Sequence, residues 1–450
     1  MAMRETKPVG IVGMGMTGQS VARFLQQQGI DCIGFDESPV AVDGLKLIIG
    51  SFHKADFGRC SRLIVSPGID WHHPALQHVR QTGMPVHGDL DLFCRHFQGD
   101  VIAVTGTNGK TTTVTLIQTL LDTLPGGIEA GGNIGRPMLD LLDETHPARR
   151  VVLELSSFQL ERSSRLRPDW AVLLNLQSDH ADMHADMATY EAAKRKLFEH
   201  QQAGDSALLP LEKIWDELQQ QLQQRGVKVR RFGIVQHLAE DVCAGVCHEE
   251  AGQWHVFWQQ DGQHQQVANA EIPLRGMHQH INLAVAAQAA ADYGVSAAVI
   301  REALQTFRGL DHRLQWIGHY RGRDWYDDSK ATNPDAAMAA LNSFDKVLWI
   351  CGGLHKDVDL APMAKAIARH VRHAYVIGED PRPYLELVKS VGVPVIHAGT
   401  MEKAVHLAAR FAHPLPVLLS PAAASQDQFR HYAERGQVFA AAVRALEKVA

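Results

Sequence analysis

The stretch Val101-Ile102-Ala103-Val104-Thr105-Gly106-Thr107-Asn108-Gly109-Lys110-Thr111-Thr112-Thr113 decides how the chain is read. Four apolar residues make a strand and the glycines a turn, after which Val114, Leu116, Ile117 and Leu120 recur at helical spacing. Glycines without side chains let backbone N–H groups surround phosphate oxygens, and the N-terminus of the following helix adds partial positive charge. Lys110 offers a cation to the β and γ phosphates and Thr111 a hydroxyl to magnesium. The run is not a strict Walker A motif, because Val104 stands where that motif has glycine. An ordinary strand-to-helix turn is the competing reading, but Gly-Lys-Thr in this setting favours a nucleoside triphosphate.

Two segments downstream also begin where apolar strands end: Val152-Leu153-Glu154-Leu155-Ser156-Ser157-Phe158-Gln159-Leu160-Glu161 and Asn175-Leu176-Gln177-Ser178-Asp179-His180. In open α/β sheets ligands collect at the carboxyl ends of the strands, so Glu154 and His180 are expected to face the phosphate loop. A carboxylate and an imidazole there suit a divalent cation that bridges phosphate and a reacting oxygen. Taken singly, either residue would be read as a hydrogen-bonded structural group; their joint placement gives them weight.

The same grammar appears at both ends of the chain. Val9-Gly10-Ile11-Val12 runs into Gly13-Met14-Gly15-Met16-Thr17-Gly18 and a helix up to Gly29, and a second strand ends at Asp36. A dinucleotide fold places its ribose-binding acid near there, so a dinucleotide and a different diphosphate ligand both remain open. Leu63-Ile64-Val65 closes on Ser66-Pro67-Gly68. After about residue 310 strands recur at Val347–Ile350, Ala374–Ile377, Val393–Ile396 and Val417–Leu419. Between about 204 and 270 the pattern changes to a Gln-rich helix around Leu218 and Leu222 and a hairpin signal in which Trp254, Val256 and Trp258 alternate before Asp261-Gly262. Boundaries near 97 and 310 give three domains, 1–96, 97–309 and 310–450. The fold class is α/β, with an N-terminal Rossmann-like domain, a central P-loop-type ATPase domain and a C-terminal Rossmann-like domain.

Composition agrees. The 450 residues fit about three domains at roughly 150 each, and 45% hydrophobic with 21% charged residues excludes fibrous and disordered classes. A formal charge of -6 without long charge runs argues against a nucleic-acid surface. Six scattered cysteines fit reduced thiols. Cys243, Cys247 and His248 lack a second ligand pair at zinc-finger spacing. No run reaches the roughly 18 to 20 apolar residues of a membrane span, so a cytoplasmic protein without membrane association is expected.

The phosphate loop, LELSSFQLE (153–161), Gly131-Gly132-Asn133-Ile134-Gly135, Asp311-His312-Arg313, Asp328-Ser329-Lys330-Ala331-Thr332-Asn333 and Leu419-Ser420-Pro421-Ala422 resemble the Mur ligase family of peptidoglycan synthesis. GMGMTG at 13–18, SPGI at 66–69 and Ser425-Gln426-Asp427-Gln428-Phe429 are most similar to the branch that adds D-glutamate to UDP-N-acetylmuramoyl-L-alanine. The resemblance implies an ATP-dependent ligase working through an acyl phosphate, with two magnesium sites, as a monomer. Gly106, Asn108, Gly109, Lys110, Thr111, Thr112, Asn282, Arg313 and Asp328 are then expected at ATP. Thr111, Glu154, His180 and a carbamylated Lys194 would hold metal, with Lys110, His180 and Lys194 serving catalysis. Met16, Thr17, Ser66, Gly68, Asn133, Gln159 and His180 would meet the UDP substrate, and Lys330, Thr332, Lys356, Ser425 and Tyr432 D-glutamate. Two departures stand out: His278-Gln279-His280 occupies a place where such enzymes often have His-Asn, and Asp36-Glu37-Ser38 lacks an arginine often found after that strand. The ligase adding the third residue and folylpolyglutamate synthase are the nearest alternatives. This chain has no Asp-Asn-Pro-Arg motif for the first, and its N-terminal domain is surplus for the second.

Overall fold

The computed structural model describes residues 7–446 except 55, 134, 143–149, 178–185, 239–241, 249–252 and 356–358. Three sheets follow one another along the chain.

The first contains β1 (Val9–Val12), β2 (Cys32–Asp36), β3 (Lys46–Ile49), β4 (Leu63–Val65) and β5 (Val86–Gly88) in the order β3-β2-β1-β4-β5, with every pair parallel. β1 and β4 are buried along their whole length, as expected of strands covered on both faces. Strand order reverses about β1, which pairs with both β2 and β4. The crevice at that switch point receives the Gly13–Gly18 turn and the Ser66–Gly68 turn side by side. Gly18 is required there, because a Cβ would lie 2.0 Å from the Gly13 carbonyl oxygen.

The central sheet contains β6 (Asp100–Thr105), β7 (Glu129–Gly132), β8 (Arg150–Glu154), β9 (Trp170–Leu173), β10 (Ser206–Pro210), β11 (Lys228–Val235), β12 (Val242–His248), β13 (Trp254–Gln260) and β14 (Gln263–Ala268). Their order is β14-β13-β12-β11-β10-β9-β6-β8-β7. β6 lies between β8 and β9 and parallel to both, so the phosphate loop emerges between Glu154 and Asn175. The Gln-rich segment forms the helix Asp216–Gln224, which buries Leu218 and Leu222 and exposes its glutamine face, and β13 and β14 form the expected antiparallel hairpin. The alternation in β13 is weaker than its sequence implies. Phe257 is buried as fully as Trp258, because Val242 and Cys247 cover the second face. Cys243 packs in the large central core and Cys247 in this small cluster, so the two thiols belong to different apolar environments.

The last sheet contains β15 (Gln315–Tyr320), β16 (Arg323–Asp327), β17 (Val347–Gly352), β18 (Val371–Ile377), β19 (Val395–Gly399) and β20 (Val417–Leu419), ordered β15-β16-β20-β17-β18-β19. Among the described residues only the β15–β16 pair of this sheet is antiparallel.

The first two domains each have an apolar cluster of their own and share a further one across their boundary. Val9, Ile11, Val21 and Leu25 pack in a single cluster with Met138, Leu139, Leu153, Leu155 and Leu160. The C-terminal domain has two clusters of its own.

Candidate active site

The phosphate loop is built by a tight left-handed turn. Gly109 has φ +87, and a Cβ there would lie 2.4 Å from Asn282 Oδ1, so both backbone and space demand glycine. Asn282 is buried on the helix Met277–Asp292 and packs against the loop from the side. Asn175 holds the loop in a two-way grip: its Oδ1 accepts from Asn108 N–H at 2.9 Å and its Nδ2 donates to Asn108 O at 3.0 Å. Gln177 adds a bond from Asn108 Nδ2 at 2.9 Å. Lys110 Nζ donates to Gly106 O at 2.7 Å and Thr107 O at 2.8 Å, placing the ammonium across the mouth of the loop. Thr112 is buried beneath it.

Thr111 is the junction of the site. Its hydroxyl donates to Glu154 Oε2 at 2.8 Å and accepts from Arg313 Nη2, a side chain of the C-terminal domain. Glu154 is 2% exposed at the end of β8, and its Oε1 accepts from Asn133 Nδ2 at 3.1 Å. Together these residues line a cavity of about 320 Å³, whose opposite wall carries Asp328, Lys330, Thr332 and Asn333. Burial, more than the nearby Arg313, sets the Asp328 carboxyl and raises it to about 7; Ser420 Oγ donates to it at 2.8 Å. His278 also lines the cavity, and burial with its neighbour His280 lowers it to about 4, so the ring is neutral at physiological pH.

Lys330 lies 4.0 Å from the centre of the Tyr432 ring. Burial, then the Arg313 charge, lowers its ammonium to about 8. Lys330 shares one cavity with the phosphate loop, and an anion entering it raises that value, so nucleotide binding near pH 8 takes up a proton, and affinity falls as pH rises through 8. Calorimetric titration of ATP in Tris and in HEPES at pH 8 should give different apparent enthalpies, and Lys330→Met should remove most of that difference. Equal enthalpies in the two buffers for the unaltered protein would refute the assignment.

The remaining expected residues are placed as follows. Lys194, on the helix Met187–Arg195, is not the solvated residue an unmodified lysine there would be. It is 1% exposed, donates to Gly106 O at 3.0 Å and sits 4.5 Å from the Tyr190 ring. Met16 is 76% exposed at the start of the glycine-turn helix, with Thr17 beside it, and Gly68 is exposed across the crevice. Ser66 is buried, and its hydroxyl donates to Gly13 O at 2.7 Å, tying the two turns together. Gln159 spends its Oε1 on Ser156 N–H at 3.0 Å in a capping box. Ser425 is buried and its carbonyl accepts from Gln428 and Phe429 N–H. His180 and Lys356 lie outside the described residues. Asp36 bears on the open question of a dinucleotide: Oδ2 accepts from Met14 N–H of the glycine turn at 2.6 Å, and Oδ1 from Ser38 N–H in its own loop at 2.9 Å, so both oxygens bond the protein's own backbone.

Several residues that shape the site were not singled out from sequence. Asn175 and Gln177 directly follow an apolar strand and carry no motif of their own. Arg435 is fully buried and joins three segments, donating to Ser329 Oγ and O and to the Ala423 and Ala424 carbonyls. Only tertiary structure reveals such a hub.

The donor chemistry at Thr111 and Glu154 fits magnesium, which prefers hard oxygens and binds through one or two protein groups plus phosphate. Among the described residues there is no cluster of three His, Cys, Asp or Glu able to hold a metal alone. Lys194 as an ammonium does not fit a metal; only its carbamate would.

A phosphate loop closed by a cation from another domain is the arrangement of an ATP-using ligase, and the chain belongs to the Mur ligase family. Residues 7–88 match the Mur ligase MurD-like N-terminal domain, 104–290 the Mur ligase middle domain and 312–447 the Mur ligase glutamate ligase domain. UDP-N-acetylmuramoylalanine--D-glutamate ligase of Methylococcus capsulatus (strain Bath) is 37% identical over 449 residues, spanning 97% of this chain and 94% of that one. The protein of the same name from Acidobacterium capsulatum is 34% identical over 458 residues, spanning 96% of this chain and 95% of its own. In fold, MurF ligase from Thermotoga maritima in complex with ADP superposes with a TM-score of 0.62 at 17% identity, over 99% of this chain and 97% of that one.

Proposed function

We propose that this chain is the ATP-dependent ligase that adds D-glutamate to UDP-N-acetylmuramoyl-L-alanine in peptidoglycan precursor synthesis. The observation that carries the chemistry is the Thr111 hydroxyl, held between Glu154 of the central domain and Arg313 of the C-terminal domain at the mouth of the phosphate loop. Relatives bearing the name of that reaction match over nearly the whole chain.

An amine does not displace a carboxylate oxygen readily, so the substrate carboxylate first attacks the γ-phosphorus of ATP and releases ADP. The amine of D-glutamate then attacks the acyl phosphate, and the tetrahedral adduct expels phosphate as the amide forms and the amine loses its proton. Gly106, Asn108, Gly109 and Thr112 cradle the phosphates through backbone groups and the helix N-terminus. Lys110 and Arg313 stabilise the charge on the transferring phosphoryl group. Asp328 holds the ribose and Asn282 the adenine. Magnesium, held by Thr111 and Glu154 with phosphate oxygens, would neutralise that charge further. A second ion would need His180 and a carbamylated Lys194.

Met16, Thr17, Ser66 and Gly68 receive the UDP end, Asn133, Gln159 and His180 the sugar-peptide end. Lys330, Thr332, Lys356, Ser425 and Tyr432 form the D-glutamate subsite, supplying cations and hydroxyls for two carboxylates. All the residues assigned above belong to one chain, in keeping with a monomer, and nucleotide substrates are in keeping with a cytoplasmic enzyme. Among the described residues no helix is long and apolar enough to cross a membrane.

The test is phosphate release by purified protein with ATP and magnesium. Release should require UDP-N-acetylmuramoyl-L-alanine and D-glutamate together. Equal release with either omitted, or with L-glutamate replacing D-glutamate, would sink the reading.

A further inference from the structure

Arg162 follows the helix Ser157–Glu161, the element that carries Gln159, yet its side chain leaves the central domain. It is 4% exposed and reaches into the first domain, where Nη1 donates to Ser66 O and Nη2 to Pro67 O at 3.1 Å and to Ile69 O. Three carbonyls of one turn thus converge on one guanidinium. The same turn is tied to the glycine turn by Ser66 Oγ on Gly13 O, 2.7 Å away. Trp71 closes the assembly, with the Arg162 guanidinium 5.3 Å and the Arg80 guanidinium 3.9 Å from its ring centre.

The interface around Arg162 is polar and buried. Asp91 accepts from Ser163 Oγ at 3.0 Å, Ser164 N–H at 2.8 Å and Ser164 Oγ at 2.7 Å, so the residues after Arg162 are pinned to the helix Asp89–His96 of the first domain. Asp89 is 2% exposed and supplies a nearby carboxyl to the arginine. Carbonyls turned inward need donors, and a planar fork with several N–H groups meets three of them where a lysine ammonium on a flexible stem does not.

We propose that Arg162 is a positioning residue for the nucleotide-sugar substrate. It sets the Ser66–Ile69 turn against the Gly13–Gly18 turn and locks both to the helix that carries Gln159. The uridine-diphosphate end and the sugar-peptide end are thereby held in one register by a side chain that touches neither. The inference rests on the UDP-substrate site proposed above.

Arg162→Met and Arg162→Lys should raise KM for the UDP-sugar substrate by roughly 10- to 100-fold, with the lysine variant nearer the lower figure, as expected for lost charge-assisted hydrogen bonds. KM for ATP and for D-glutamate, and kcat, should change less than about 2-fold. Guanidinium ion at low, non-denaturing concentration should restore part of the affinity to Arg162→Ala and not to Arg162→Lys. Overturning results are an unchanged KM for the UDP-sugar, a parallel rise in KM for all three substrates, or no guanidinium rescue. Calorimetry with UDP alone separates the two layers. If the unaltered protein binds UDP and the variants bind it more weakly, the positioning role stands even where D-glutamate-dependent turnover is missing. If turnover is present and UDP affinity is equal in all variants, the role falls while the functional reading survives.

Discussion

Replacing Lys110 with alanine is expected to lower kcat by about 10³-fold or more, the scale of loss when a preorganised charge is taken from a phosphoryl-transfer site. The ammonium lies 2.7 Å from Gly106 O and 2.8 Å from Thr107 O, so the loop itself fixes its position before any substrate arrives. Little reorganisation is then needed when negative charge develops on the transferred group. The fold should survive the change, since Lys110 opens the helix Lys110–Leu121 and alanine is an excellent helix former. The check is phosphate release under saturating substrates alongside a thermal melt. A variant that keeps more than a tenth of the rate, or one that has lost its cooperative melt, would not support the assigned role. Lys110→Arg should recover little, because a broader guanidinium cannot occupy a point between two carbonyls of so tight a turn.

Lys194→Ala should cost about 10²- to 10³-fold in kcat, and here the direction of rescue distinguishes two physical roles. As an ammonium, Lys194 would prop the loop by donating to Gly106 O, 3.0 Å away, with the Tyr190 ring beside it. As a carbamate it would present an anion to a metal, and the same burial that makes a bare cation expensive would shield the adduct from water. Short carboxylic acids such as formate or acetate should restore activity to the alanine variant if an anion is required. Rescue by small amines, or full activity in Lys194→Arg, would mark the residue as a cation and remove the second metal site.

The phosphate loop was legible because its signal is local: apolar strand, glycine turn and amphipathic helix follow within residues 101–120, and they appear as β6 and the helix Lys110–Leu121. Glu154 was legible for a topological reason, since a residue at the end of a parallel strand next to β6 has to face that loop. The contact between Arg313 and Thr111 was not, because it joins residues of different domains and depends on how the C-terminal domain docks. Arg162 and Arg435 were invisible for a related reason. An arginine in a surface-like run reads as solvated until tertiary structure shows several carbonyls aimed at it. Asp36 was ambiguous in the opposite sense. Its position at the end of the second strand is compatible with a ribose or another diphosphate ligand, and the hydrogen bonds show its carboxylate on the Met14 and Ser38 backbone.

The apolar core shared by the first two domains bears on the order in which the chain can assemble. Chains emerge from the ribosome N-terminus first and usually complete domains in that order. Here Val9, Ile11 and Leu25 must find Met138, Leu153 and Leu160 before their cluster is closed, so the opening sheet waits, partly uncovered, for strands that are made much later. The Ser66–Ile69 turn gains its bonds from the guanidinium only after Arg162 has been synthesised. The C-terminal domain, with clusters of its own, carries no such dependence and is free to mature last.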